Sequence, residues 1–103
     1  MITIRPHHFI SYTVRDGVIT EDILKRVKKY YNQFGTTFID LLDNDSEEKQ
    51  SRVYYELEKS DVLILIKTPG ITDSNWVKKE LKRANEQNIP INEIDLTDLN
   101  QYL

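Results

Sequence analysis

The chain of 103 residues contains no cysteine, three glycines, three prolines and one tryptophan. Without cysteine, disulfides, thiolate metal sites and thiol catalysis are excluded. Few glycines leave little room for a phosphate-cradling loop, and the Gly-rich P-loop pattern is absent. No long hydrophobic run exists either. The longest, Val62-Leu63-Ile64-Leu65-Ile66, is far short of a membrane span. Met1 to Pro6 lacks the apolar stretch of a signal peptide. The expectation from these absences is a cytoplasmic protein that does not meet a membrane.

Hydrophobic residues make up 39% and charged residues 30%, which suits one globular domain over residues 1–103. The net charge of −3 is unevenly spread. Residues 36–61 hold eight acids and three bases, whereas residues 1–35 hold six bases and three acids. Lys25, Arg26, Lys28 and Lys29 cluster on one segment, but no sustained basic face with interleaved aromatics follows. The cluster reads as a solvated helix face, and nucleic acid is not an expected partner.

The order of apolar patterns is clear. His8 to Tyr12 reads as a first strand that ends before the Asp16-Gly17 turn. Thr20 suits the cap of a helix with Glu21 and Asp22 in its first turn. Ile23, Val27, Tyr30, Tyr31 and Phe34 form that helix's core stripe, and Gly35 stands where a C-terminal glycine belongs. Thr36 to Leu41 is β-branched and aromatic, which predicts a second strand. Ser46 is a candidate cap for a helix from Glu47 that turns Val53, Tyr54 and Leu57 inward. Val62 to Ile66 has the continuous apolarity of a central strand covered on both faces. Thr68-Pro69-Gly70 breaks it. Ser74 or Asn75 caps a helix from Trp76 to Gln87 with the stripe Val77, Leu81 and Ala84. Ile89-Pro90-Ile91 opens a fourth strand, and Thr97 to Leu103 closes with a short helix.

Such βα alternation predicts an α/β fold: a flavodoxin-like, three-layer α/β/α sandwich with four to five mostly parallel strands. Ligands in such folds bind at the carboxyl ends of the strands. Tyr12, Thr13, Asp40 and Thr68 lie at those ends and are candidate substrate contacts. Trp76 and Glu80, four apart, share one side of the third helix near the same crevice. A carboxylate beside an indole there would be partly desolvated, raising its pKa. Spacing alone favours the other reading, in which Trp76 is packing and Glu80 is a solvated helix acid beside Lys79 or Arg83.

Other constellations point less far. His7 and His8, adjacent on a strand, face opposite sides and do not converge on a metal. Asp40, Asp43 and Asp45 resemble a hard-cation set but read as an acidic solvated loop. No metal site is expected. Thr13-Val14 and Lys67 occupy positions where a phosphoacceptor receiver would need acids. Thr13 to Gly17 is a poor flavin phosphate loop.

Phe9-Ile10-Ser11-Tyr12 after His8, Phe38-Ile39-Asp40, Ser60 to Ile66 with Thr68-Pro69-Gly70, and Asp73 to Leu81 with Asn88 to Ile91 together resemble the motifs of TIR domains. These pieces are in order over roughly residues 8–94. The stretch Trp76 to Glu80 is similar to the family's Trp-x-x-x-Glu helix. The resemblance implies NAD as substrate rather than bound cofactor. Glu80 would be the catalytic residue that cleaves or cyclises it at the nicotinamide–ribose bond, with Trp76 walling the site and Tyr12 meeting ribose or base. It equally implies a non-catalytic signalling module that self-associates as a homo-oligomer or TIR–TIR pair, of the kind found in antiphage defence. Nucleoside 2-deoxyribosyltransferases, which share the architecture and also rely on a glutamate, suggest a nucleoside as the alternative ligand. The loop Leu42 to Gln50 departs from the TIR pattern in having no glycine, and little chain follows Ile94.

Overall fold

The computed structural model describes residues 5–103, so Met1 to Ile4 of the amino-terminal segment discussed above lie outside the described residues. Four strands, β1 (His7–Ser11), β2 (Thr36–Phe38), β3 (Val62–Lys67) and β4 (Ile91–Asp95), form one sheet in the order β2-β1-β3-β4, and every pairing is parallel. The helices are α1 (Glu21–Tyr31), a single turn α2 (Asp40–Asp43), α3 (Lys49–Glu58), α4 (Asn75–Glu86) and a short α5 (Leu96–Leu99).

Strand alternation explains the layering. In β1 and β3, Phe9, Leu63 and Leu65 face one side and pack with Val53 and Leu57 of α3 and Val77 and Ala84 of α4. Ile10, Ile64 and Ile66 face the other side and pack with Leu24 and Val27 of α1 and Leu96 and Leu99 of α5. The central strand β3 is apolar from Val62 to Ile66 because both its faces are covered. The result is the expected flavodoxin-like α/β/α sandwich with four strands.

The helix ends follow local chemistry. The Thr20 hydroxyl accepts from the Ile23 N–H at 3.2 Å, and the Ser74 hydroxyl accepts from the Val77 N–H at 3.2 Å, so each caps its helix. At the end of α4, Asn88 adopts a left-handed φ of 58°. The Asn88 N–H then reaches the Asn85 carbonyl, and the Ile89 N–H reaches the Ala84 carbonyl at 2.8 Å. This is the paired closure that an αL residue makes possible, with Ile89 packing into the core behind it.

Three segments differ from the sequence pattern. The second strand ends at Phe38, not Leu41, and the chain turns into α2. The Asp43 carboxylate accepts from the Ile39 N–H at 2.8 Å and from Lys28 Nζ at 2.6 Å, which folds the end of the apparent strand back on itself. Helix α1 ends at Tyr31, so Phe34 leaves the stripe and is 50% exposed, while Leu24 is fully buried. Gly35 does not cap that helix. It lies against Pro6, where any Cβ would collide with the Pro6 carbonyl, and this closeness lets the Thr36 N–H donate to that carbonyl at 2.9 Å. Finally, α3 begins at Lys49, because the Ser46 hydroxyl is used by the Glu48 N–H at 3.1 Å rather than by a helical turn.

Candidate functional site

The sheet order places the switch point between β1 and β3, because the connection from β1 runs outward to β2 and the connection from β2 crosses back to β3 on the other side of β1. An open cavity of about 330 Å³ lies at that end of the sheet. Three connections build it. Tyr12 to Arg15 follow β1, Asp40 and Leu41 follow β2, and Ser74 to Trp76 with Glu80 come from the start of α4. Five of the six residues expected at a site, Tyr12, Thr13, Asp40, Trp76 and Glu80, meet here.

Thr68 does not meet them. It lines a separate cavity with Lys67, Asp95 and Asn100, on the β4 side of the carboxyl ends. The cause is the loop after β3, which bends towards Asp16: the Gly70 N–H donates to Asp16 Oδ2 at 2.8 Å. The Thr68 hydroxyl makes no well-formed hydrogen bond, yet it faces Asp16 closely enough to favour the ionised form. With the Gly70 N–H it holds the Asp16 carboxyl below its ordinary range. Thr68 thus lies beside the β3 loop and Asp16, apart from the cavity that holds Glu80, and not with the other expected site residues.

Glu80 is the unusual group. Its side chain projects from α4 towards β1 and is only 4% exposed. The possibility of a solvated helix acid is thereby removed. Arg83 reaches Glu58 instead, at 2.6 Å, and among the described residues Glu80 forms no ion pair. Its partner is Ser11, fully buried at the end of β1, whose hydroxyl donates to Glu80 Oε1 at 2.8 Å. Burial pushes the Glu80 carboxyl from 4.5 up to about 8. The Ser11 hydroxyl opposes that rise, the negative charge of Asp40 adds to it, and the neighbouring Trp76 side chain opposes it more weakly. Glu80 is thus mostly a neutral acid at pH 7 that can be driven to ionise.

The walls hold this acid in place. The Trp76 ring stacks on Tyr54 of α3 with centroids 6.1 Å apart, and Arg83 lies over the other partner of that stack at 4.8 Å from the Tyr54 ring. Tyr12 is half-buried, and its phenol oxygen accepts from the Leu41 N–H at 3.1 Å. Desolvation pushes the Tyr12 hydroxyl up to about 12, so it remains a neutral donor. Asp40 is steadied by Asn44, whose amide donates to Asp40 Oδ1 at 2.6 Å. The Thr13 hydroxyl accepts from the Arg15 N–H at 3.2 Å, which shapes the turn rather than the cavity floor.

Reasoning from sequence missed Ser11 and Arg15. Ser11 lies 69 residues from Glu80, and only the parallel pairing of the strands brings the two together. Arg15 carries no spacing signal, although its place just beyond β1 on a crevice loop was a hint. Of the metal candidates, Asp43 is engaged with Lys28, and His7 with Thr36 and Glu56 at the opposite, amino end of β1, while Asp40 lines the cavity. No protein-family model matches the chain, and no curated protein matches it significantly.

Proposed function

We propose that the cavity binds a nicotinamide nucleotide such as NAD and cleaves its nicotinamide–ribose bond, with Glu80 as the catalytic residue. The observation that carries this reading is a buried carboxyl that has no counter-ion among the described residues, set against an indole in a cavity at strand carboxyl ends. Such a carboxyl meets a cationic ring with little competition from water. The ring's positive charge favours the ionised form of Glu80, so ligand entry draws the proton off. In the reaction the C1′–N bond breaks and its electron pair returns to the nicotinamide ring, which leaves neutral. The oxocarbenium-like ribose is stabilised by the Glu80 carboxylate until a water or a second hydroxyl adds to C1′ and loses its proton. Trp76 stacks the leaving ring, and the Tyr12 hydroxyl orients the ribose. A cavity of about 330 Å³ is at the small end for ligand sites, enough for one half of a dinucleotide.

The test is nicotinamide release from NAD at high protein concentration, wild type against Glu80→Gln. Release by the wild type that falls at least about 100-fold in the variant is expected. Equal background from both ends the NAD reading. Deoxynucleosides with a second free base, assayed in parallel, report base exchange and so distinguish the nucleoside alternative.

A second reading is a module that self-associates. It is favoured by an exposed aromatic patch, in which Phe34 and the 62% exposed Tyr102 flank Tyr30 at 5.4 and 5.6 Å. Sedimentation of wild type and a Phe34→Ser/Tyr102→Ser variant over a concentration series checks it. A wild type that is monomeric throughout removes this reading.

A further inference from the structure

The charges around the cavity are not mixed at random. Its lining carries two carboxyl groups, Glu80 and Asp40, and one cation, Arg15. Arg15 is exposed and forms no ion pair among the described residues. Its guanidinium makes one long contact, Nη1 donating to the Asp73 carbonyl at 3.5 Å. Elsewhere in the described structure the arginines of the helices are spent on acids: Arg26 on Asp22, Arg52 on Glu56 and Arg83 on Glu58. The Arg15 fork is uncommitted.

The backbone that presents it is tied down. The Arg15 N–H is held by the Thr13 hydroxyl, and the Gly17 N–H closes the turn on the Val14 carbonyl at 3.1 Å. The next residue, Asp16, accepts from the Val18 N–H at 3.2 Å and from the Gly70 N–H at 2.8 Å. The two loops meet so closely that a Cβ on Gly70 would come within 2.9 Å of the Asp16 side chain. A glycine at this point thus lets the β3 loop anchor the turn, and the long Arg15 side chain is offered to the cavity from a fixed base.

We propose that Arg15 is a specificity-determining residue that binds the phosphate of the substrate, so that the site takes nucleotides in preference to nucleosides. The inference rests on reading the cavity as a nucleotide site. The carboxylate of Asp40 repels an anionic group, and the planar guanidinium of Arg15 offers it a two-pronged, charge-assisted hydrogen bond. The ligand therefore lies in one direction, with its cationic or neutral ring towards Glu80 and its phosphate towards Arg15. This also separates the two enzyme classes, because a site for free nucleosides has no use for an uncommitted cation beside its sugar.

Trp76 is the chain's one tryptophan and lines the cavity, so its fluorescence reports binding without any turnover. Nicotinamide mononucleotide and nicotinamide riboside, which differ by one phosphate, are titrated against wild type, Arg15→Gln and Arg15→Lys. The wild type binds the mononucleotide at least about tenfold more tightly. Arg15→Gln brings the ratio of the two dissociation constants close to one, and Arg15→Lys keeps part of it. A wild type that binds the two equally, or neither, overturns the proposal, as does an unchanged ratio in Arg15→Gln. Thermal melting of each variant confirms that the ratio is read on folded protein. If the ratio behaves as stated but NAD is not cleaved, the catalytic reading fails and the phosphate site stands. If NAD is cleaved and the ratio is one, the reverse holds.

Discussion

At the scale of single residues, the behaviour of the protein turns on the Glu80 proton. In the unfolded chain this carboxyl titrates near 4.5, and in the folded protein near 8. Between these values the unfolded chain has released a proton that the folded protein keeps. Glu80's contribution to stability is therefore complete below about 4.5, falls as pH rises through the window, and stops changing above about 8. Glu80→Gln removes the titration but keeps the shape. Urea unfolding at pH 5 and pH 8 should show the variant gaining on wild type by a few kcal/mol, an order-of-magnitude figure. Parallel stabilities at both values would contradict the burial argument. The hydroxyl of Ser11 favours the ionised form, so Ser11→Ala should move Glu80's titration higher still. A carboxyl-carbon titration by NMR reads this directly; an unmoved or lowered midpoint speaks against the contact.

At the scale of elements, helix ends and loop crossings fix where the site residues go. Asn88 ends α4 in the left-handed region, so Asn88→Gly should change stability by only a few tenths of a kcal/mol. Asn88→Val should cost about 1–2 kcal/mol, and a thermal melt separates the two. Ser74 both caps α4 and lines the cavity. Ser74→Ala is expected to lose about 1 kcal/mol of stability and to weaken ligand binding. Thr20→Ala, which removes the same kind of cap from α1, should lose similar stability with no effect on binding. A Thr20 variant that weakened binding equally would show that the cavity responds to global stability rather than to α4.

These same elements show what was legible in advance. The parallel α/β sandwich was readable because each pattern had a local cause: the all-apolar Val62–Ile66 run, the acids after Thr20, the capping serine before Trp76. The early end of β2 was not, since Phe38-Ile39-Asp40-Leu41 has strand chemistry until Asp43 is paired with Lys28, a contact made across 15 residues. Phe34 fitted the α1 period but falls beyond the helix end at Tyr31. The shared side of Trp76 and Glu80 was readable from helix geometry. Their burial was not, because it depends on β1 arriving with Ser11 and on Tyr54 of α3 covering the indole. Thr68 was misplaced for a similar reason: its strand end was found, but the direction of its loop is set by Gly70 meeting Asp16.

At the scale of the whole molecule, the sheet divides labour between its two ends. The amino end of β1 carries a network in which His7, Arg52 and Lys59 all reach the buried Glu56, so that carboxylate is compensated. The carboxyl end carries Glu80, equally buried and, among the described residues, without an ion-pair partner. A fold of this size has a narrow stability margin, and an unpaired buried acid draws on it. That contrast is the main physical reason for treating the cavity end as the working end. No helix among the described residues is long and apolar enough to cross a membrane.

The central claim is that Glu80 sits uncharged and poised at that end, and the most direct measurement is its own titration in the free protein. Side-chain carboxyl shifts of glutamate-labelled wild type, assigned by comparison with Glu80→Gln, should place Glu80's midpoint near 8. A midpoint near the ordinary 4.5 would contradict the account, because it would mean that water or a cation reaches Glu80 in the free protein.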